Sequence, residues 1–228
     1  SKNIQKNYFK AKEYYELAAK LNNSDAIIKI GDLYYYGKGV EQSYTKAKEF
    51  YEKSSKLNNP YAFNSIGTLY KRGLGVDQEY KKAEYYYNIA FELNVSDAMY
   101  NLGYLYYNGY GVEQDYKKSK FYYKKGIILN NTFCMNAMGF MHENGKGAKI
   151  NYEKSRKYYE KAACLKNVNS IVNLALLYLN GIDNKHDYEK AKKLFEIAAS
   201  KNSKNAIYNL GKIYKKGLGV QKDYKKAK

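Results

Sequence analysis

The chain of 228 residues has no tryptophan, one proline, two cysteines and two histidines. A single proline leaves almost every backbone N–H free to enter a helical ladder, so nothing breaks helices at regular intervals except glycine. Cys134 and Cys164 are too few for a disulfide framework. They fall at the same end of one expected helix pair, which leaves a single bridge or two packed thiols open. Neither His142 nor His186 recurs along the chain, and no Cys or carboxylate cluster stands at metal-ligand spacing. No metal, no cofactor and no enzymatic activity are therefore expected. Long apolar runs are also missing: even Ile171 to Leu179 is interrupted by Asn173, so no membrane span is expected. No charged-then-apolar leader opens at Ser1, and cytoplasmic and secreted locations both stay open. Acidic residues are few, 22 against 40 Lys and Arg, for a formal charge of +18. That excess permits nucleic acid, acidic protein or anionic lipid as partners, or simply a solvated lysine face in a Lys-, Asn- and Tyr-rich chain.

What is abundant is tyrosine, 30 residues of it, and it recurs at a fixed period. Shifted by 36 positions, Gly31 falls on Gly67, Gly103, Gly139, Ala175 and Gly211 without insertion or deletion. A constant period of this size marks a repeat architecture, because one short unit cannot bury enough apolar surface alone and must stack on its neighbours. The expected fold is all-α, a right-handed α-solenoid of antiparallel helix pairs, A then B, forming one domain over residues 1–228. Units span approximately 25–60, 61–96, 97–132, 133–168, 169–204 and 205–228, preceded by an orphan B helix at 4–21. With no polar cap at either end, the chain is expected to be a piece of a longer array.

Each A helix has an apolar stripe, first Ile27, Ile30, Leu33 and Tyr34, then Phe63, Ile66, Leu69 and Tyr70, then Met99, Leu102, Leu105 and Tyr106. Each ends at a glycine, from Gly37 to Gly217, usually with a second glycine and a valine after it, as in Gly111-Val112. A phosphate-binding loop would need a preceding strand, and here a helix precedes. B helices open at Asn7, Ser43, Glu79, Asp115, Asn151, Asp187 and Asp223, all strong N-caps except Glu79. A tyrosine follows, from Tyr44 to Tyr224, then a small residue (Ala47, Ala83, Ser119, Ser155, Ala191, Ala227) and a ring (Tyr51, Tyr87, Tyr123, Tyr159, Phe195). Small facing large at fixed columns is how helices interlock. B helices close on Asn22, Asn58, Asn94, Asn130, Lys166 and Asn202, where a left-handed residue is expected. The lone S-x-x-K, Ser43 to Lys46, is an N-cap followed by a recurrent lysine, not a nucleophile.

The strings Leu102-Gly103-Tyr104-Leu105-Tyr106, Gly109-Tyr110-Gly111-Val112 and Asp115-Tyr116-Lys117-Lys118-Ser119 resemble the Sel-1-like repeat family, a 36-residue relative of the tetratricopeptide repeat. The resemblance covers essentially the whole chain and departs in the fifth unit, at Ala175 and at Asp183 and Asn184 in place of Gly-Val. It implies a scaffold that gathers proteins, in quality control, signalling or bacterium–host contact, with a concave groove lined by A helices. The positions of this chain facing away from the core stripe are Tyr35, Tyr36, Asn64, Lys71, Arg72, Tyr100, Tyr104, Tyr107, Asn108, Asn136, Phe140, Glu143, Asn144, Asn180, Tyr208 and Lys215. Tyrosine, amide and guanidinium side chains suit an extended peptide.

The rival expectation is single-stranded nucleic acid. Lys10, Lys46, Lys82, Lys118, Lys154, Lys190 and Lys226 recur without exception, and Lys12, Lys48, Lys120, Arg156 and Lys192 form a second column. Two basic stripes would result, with few acidic partners at i, i+4 and with tyrosines able to stack bases.

Overall fold

The computed structural model describes residues 2–147, 149–181 and 186–223, with the backbone alone at 2–6. Among these residues every regular element is an α-helix. The chain divides into two compact units, 1–125 and 126–228. The first holds α1 (Lys2–Lys20), α2 (Ser24–Tyr36), α3 (Tyr44–Lys56), α4 (Pro60–Arg72), α5 (Tyr80–Glu92), α6 (Ser96–Asn108) and most of α7 (Tyr116–Ile128). The second holds the end of α7, then α8 (Thr132–Asn144), α9 (Tyr152–Cys164), α10 (Val168–Asn180), α11 (Tyr188–Ala199) and α12 (Lys204–Lys216). Within each unit successive helices pack on one another, α2 on α3 and α4 on α5 in the first, α8 on α9 and α10 on α11 in the second. The architecture is an all-α repeat solenoid.

Helix starts follow the expected chemistry. The side chains of Ser43, Asn151 and Asp187 accept a hydrogen bond from the N–H three residues on, and Asp115 accepts from both Lys117 and Lys118. Those N–H donors pull the Asp115 carboxyl below the usual range. Glu79 makes no cap bond; its carboxylate reaches Lys82 Nζ at 2.7 Å instead. Asn59 caps α4 with Pro60 in the first turn, where the missing N–H has no helical acceptor to lose. The expected start at Asn7 is corrected by the structure, since α1 runs from Lys2 straight through it. No Gly-Val turn precedes Asn7, so nothing stops the helix there. Asp223 precedes a stretch, with Tyr224, Lys226 and Ala227, outside the described residues, as are Asp183 and Asn184.

B helices end as the asparagine column requires. Asn22, Asn58, Asn94, Asn130, Lys166 and Asn202 all have φ between 56° and 63°. Asparagine tolerates this left-handed region better than other residues with a Cβ, so Lys166 is the strained member. In the glycine turns the second glycine also allows close approach: a Cβ on Gly111 would sit 2.3 Å from Tyr80 Cβ. The fifth turn differs, for Gly181 has ψ 131° where Gly109 has 29°.

The period-36 glycine serves packing. Tyr51, Tyr87 and Tyr123 in the first unit, and Tyr159 in the second, lie across Gly31, Gly67, Gly103 and Gly139, and a Cβ there would stand 2.4–2.7 Å from the nearest ring carbon. Three of the hydroxyls reach the A helix: Tyr51 donates to Asp32 (3.0 Å), Tyr159 donates to Glu143 (2.7 Å), and Tyr87 pairs with Thr68 (3.2 Å). Ala175 is opposed by Phe195, which has no hydroxyl to anchor and is fully buried. The small residues Ala47, Ala83, Ser119, Ser155 and Ala191 are fully buried beside these rings.

A second layer of rings locks each pair from the side. Tyr34 stacks on Phe50, Tyr70 on Tyr86, Tyr106 on Tyr122 and His142 on Tyr158, with centroids 5.6–5.8 Å apart and planes within 15°. His142 is thus the packed substitute for tyrosine that its column implies. Cys134 is buried and Cys164 exposed, and no disulfide joins them. Among the described residues no helix is long and apolar enough to cross a membrane.

Candidate partner-binding face on the A helices

In the first unit the residues facing away from the core divide sharply by what they touch. Asn64 Oδ1 accepts from Asn101 Nδ2 at 3.0 Å, and Asn101 Oδ1 in turn accepts from Lys71 Nζ at 2.6 Å. Asn101 is buried, so α4 and α6 are joined by an amide–amide hydrogen bond inside the stack. Arg72 Nη1 donates to the Tyr35 hydroxyl at 2.7 Å, linking α4 back to α2. Burial pushes the Tyr35 hydroxyl up, and Arg72 only partly offsets it. Tyr100 lies against Tyr123, Tyr107 meets Tyr116 edge-on, and Asn108 turns its amide onto the Tyr104 carbonyl. Tyr36 stays exposed, with the Lys38 ammonium 5.2 Å from its ring centre.

Between α4 and α6 these side chains border a cleft of about 650 Å³, lined by Thr68, Lys71, Arg72, Tyr100, Asn101 and Tyr104, and closed on one side by Gln78, Tyr80 and Tyr110 from the turns. Gln78 Nε2 is held by the Lys71 carbonyl and the Tyr80 hydroxyl. Tyr80 stacks on Tyr110 at 5.1 Å, and Tyr104 leans on Tyr110 at 5.8 Å. The Lys71 ammonium lies 5.8 Å from the Tyr87 ring centre and 5.5 Å from that of Tyr104. Burial, with a smaller push from neighbouring Arg72, drops its pKa to about 8. Burial likewise raises the Tyr104 hydroxyl.

Four of the residues expected from sequence, Lys71, Arg72, Tyr100 and Tyr104, meet in this cleft. Thr68, which stands in the outward-facing column one after the glycine, completes it together with Asn101, Gln78, Tyr80 and Tyr110, and these last four were not among the expected set. The signal for Asn101 was present, since an amide two before the glycine recurs in Asn173 and Asn209. Gln42, Gln78 and Gln114 form another overlooked column, each donating to the carbonyl seven residues back. His186 takes that place in the fifth unit, its Nδ1 2.9 Å from the Leu179 carbonyl.

In the second unit Asn136 Oδ1 accepts from Asn173 Nδ2 (3.0 Å) and from the Ser170 hydroxyl (2.9 Å). Glu143 holds the Tyr159 hydroxyl, and Asn144 turns onto the Phe140 carbonyl. Phe140, Asn180, Tyr208 and Lys215 are exposed, with Lys212 4.7 Å from the Tyr208 ring centre. A recess of about 780 Å³ at the other helix ends is bordered by Ile127, Met135 and Leu165 and by Lys154, Lys157 and Lys161. Its lysines point from one helix, so it offers no convergent set of polar groups.

The basic columns have structural employment. Lys46, Lys82, Lys118 and Lys190 lie 5.1–5.4 Å from the ring centres of Tyr34, Tyr70, Tyr106 and Tyr178. The expectation of few i, i+4 acidic partners is corrected for the second column: Lys12 pairs with Glu16, Lys48 with Glu52, Arg156 with Glu160 and Lys192 with Glu196. Glutamates four residues C-terminal to the basic column thus offset four of its five named charges. Lys226 lies outside the described residues. Among the described residues no group of His, Cys, Asp and Glu could hold a metal.

Comparison with known proteins agrees with this anatomy. The Sel1 repeat pattern matches residues 1–23, 24–59, 62–95, 96–131, 132–167, 168–203 and 204–228. No curated protein matches the chain. Among solved structures, a Sel1 repeat protein from Oxalobacter formigenes superposes with a TM-score of 0.84 at 27% identity, covering 100% of this chain and 96% of its own. The protective antigen c5321 of uropathogenic Escherichia coli strains, which displays the same repeat fold, gives 0.73 at 28% identity, covering 94% of this chain and 46% of its own. Immunity protein Pa5087 from Pseudomonas aeruginosa shares the fold alone, with a TM-score of 0.64 at 19% identity over 90% of this chain and 75% of its own. Proteins built this way generally serve as protein-interaction scaffolds, and with matches running through every repeat the chain belongs to the Sel1 repeat family.

Proposed function

We propose that this chain is a non-enzymatic adaptor that holds a protein or peptide partner along its A-helix face. The observation that carries the reading is the cleft between α4 and α6, where tyrosine rings, an amide, an ammonium and a guanidinium from two helices and two turns border one opening. Such a surface combines rigid amphipathic rings with donors that match a peptide backbone and its acidic groups. Nearby nucleophile and base pairs, which catalysis would need, are not among its lining residues. The nucleic-acid alternative draws support only from net charge, and the recurrent lysines are already engaged with tyrosine rings or glutamates.

The test is a selection from displayed random peptides on the immobilised chain, followed by binding titrations of the winners. Tyr104→Ala and Arg72→Gln are expected to weaken the selected peptides at least 5-fold, while Lys81→Gln and Lys117→Gln on the exposed B helices leave them unchanged. Peptides indifferent to the first pair and lost with the second would move binding off the A helices and refute the reading.

A further inference from the structure

Lys71 is an unusual place to keep a positive charge. Its ammonium is half-buried under two tyrosine rings, and one of its three N–H groups is satisfied by Asn101. Among the described residues no carboxylate pairs with it, nor with Arg72 beside it. Other basic residues of the same unit are treated differently: Lys29 has Asp32, Lys48 has Glu52 and Lys82 has Glu79. A desolvated cation without a counter-charge is costly, and proteins place such groups where a ligand supplies the missing charge. The surroundings are built to hold the ammonium in place. Asn64 fixes the Asn101 amide, Asn101 fixes Lys71, and Gln78 ties the following turn to the Lys71 carbonyl at the end of α4. Arg72 is tethered by Tyr35 through one nitrogen only, which leaves its other donors at the cleft.

We propose that the cleft of Lys71, Arg72, Asn101 and Tyr104 is a subsite for a single carboxylate of the bound partner, the two cations supplying the donors and the tyrosine rings excluding water. The proposal rests on the adaptor reading and names the chemistry its partner must present at this point. A phosphodiester strand fits less well. Neutralising a nucleic-acid backbone takes a series of cations along a track. In this unit the A-helix face has one adjacent pair, with Lys29 already matched and α6, SDAMYNLGYLYYN, contributing no basic residue. A carboxylate is planar and takes a fork of two or three N–H groups from one side, which is what an ammonium beside a guanidinium offers. The carboxylate can belong to a Glu or Asp side chain or to a chain terminus.

Four probes separate these sources by 1H–15N NMR on the whole chain: Ac-AAEAA-NH2, Ac-AAQAA-NH2, Ac-AAAAA with a free C-terminus, and a hexathymidylate. The Glu peptide is expected to shift the Asn101 side-chain amide and the backbone signals of Lys71 and Arg72, with the Gln peptide at least 5-fold weaker. A free-terminus peptide stronger than the Glu peptide assigns the subsite to chain ends, within the same proposal. Lys71→Met should abolish the Glu-over-Gln preference, and Arg72→Gln, at an exposed position that does not endanger folding, should reduce it several-fold. Equal shifts from the Glu and Gln peptides, with the free-terminus peptide no stronger than either, would overturn the proposal, as would an undiminished preference in both variants. Hexathymidylate binding these signals more tightly than the Glu peptide at 150 mM salt would overturn it in favour of phosphate. If display-selected peptides still depend on Tyr104 while Glu and Gln are equivalent, the carboxylate subsite fails and the adaptor reading survives; if neither dependence is found, both fail.

Discussion

Gly139→Ala asks whether the glycine column exists for helix packing. In isolation the change favours the folded helix by about 1 kcal/mol, because alanine gives up less backbone freedom than glycine. Against this, the new methyl would stand 2.5 Å from Tyr159 Cε1, 2.6 Å from Cδ1 and 3.0 Å from Cζ. The ring cannot slide away freely, since it is fully buried and its hydroxyl is held by Glu143 at 2.7 Å. Overpacking costs about 1–3 kcal/mol, and contacts this short on a ring held in place put it in the upper part of that range, about 2–3 kcal/mol, so a net loss of about 1–2 kcal/mol is expected. Tyr159→Phe alone forfeits a hydrogen bond to a carboxylate, worth about 1.5 kcal/mol. In the double variant the ring, like Phe195 opposite Ala175, has no hydroxyl bond to hold it, so it can give way and the two losses should fall short of additivity by about 1 kcal/mol. Urea denaturation followed by far-ultraviolet circular dichroism measures this, fitted with nearest-neighbour repeat energies because arrays depart from two-state unfolding. A Gly139→Ala chain as stable as the parent, or an additive double variant, would refute the packing explanation.

Other outcomes follow from the same structure. Asn101→Ala leaves Lys71 and Asn64 without their amide partner and should cost about 1–3 kcal/mol, read as a lowered denaturation midpoint. Lys166→Gly relieves a left-handed residue with a Cβ and should stabilise by about 1 kcal/mol, whereas Asn94→Ala should destabilise by a similar amount. For Lys71, burial lowers the folded pKa to about 8 from 10.5, so between those values the unfolded chain binds the extra proton. Stability should therefore rise from about pH 8 towards 10, by at most about 3 kcal/mol and less after solvent screening, and Lys71→Met should remove the rise. Above about pH 10 the sign reverses, because burial raises the hydroxyls of Tyr51, Tyr87 and Tyr159 and the unfolded chain loses those protons first.

The helix pairs were legible because each boundary is a local event: Asp115 caps its own helix, Asn94 adopts φ 60° by itself, and Gly109 needs only its own turn. Asn7 misled because a capping residue starts a helix only where something stops the one before it. The binding face was legible as a set of columns but not as chemistry. From sequence Asn64, Asn136 and Glu143 look free to meet a ligand, yet their partners lie 37, 37 and 16 residues away, and only tertiary structure shows them occupied. The glutamates of the second basic column were visible at i, i+4 and were underweighted. Lys71 could not have been singled out, because its isolation depends on what α6 fails to place beside it.

The bond between Asn64 and Asn101 in the first unit recurs as that between Asn136 and Asn173 in the second, two repeats later. The column three before the glycine reads Ile28, Asn64, Tyr100, Asn136, Val172, Tyr208, and the neighbouring column reads Lys29, Ser65, Asn101, Ala137, Asn173, Asn209, so an asparagine of the first column is followed by an asparagine of the second in the next repeat at just these two places. Each unit thus carries a polar seam between successive A helices, Asn64 to Asn101 in the first and Asn136 to Asn173 in the second, so removing the repeat on either side of such a seam would part an asparagine from its matching amide.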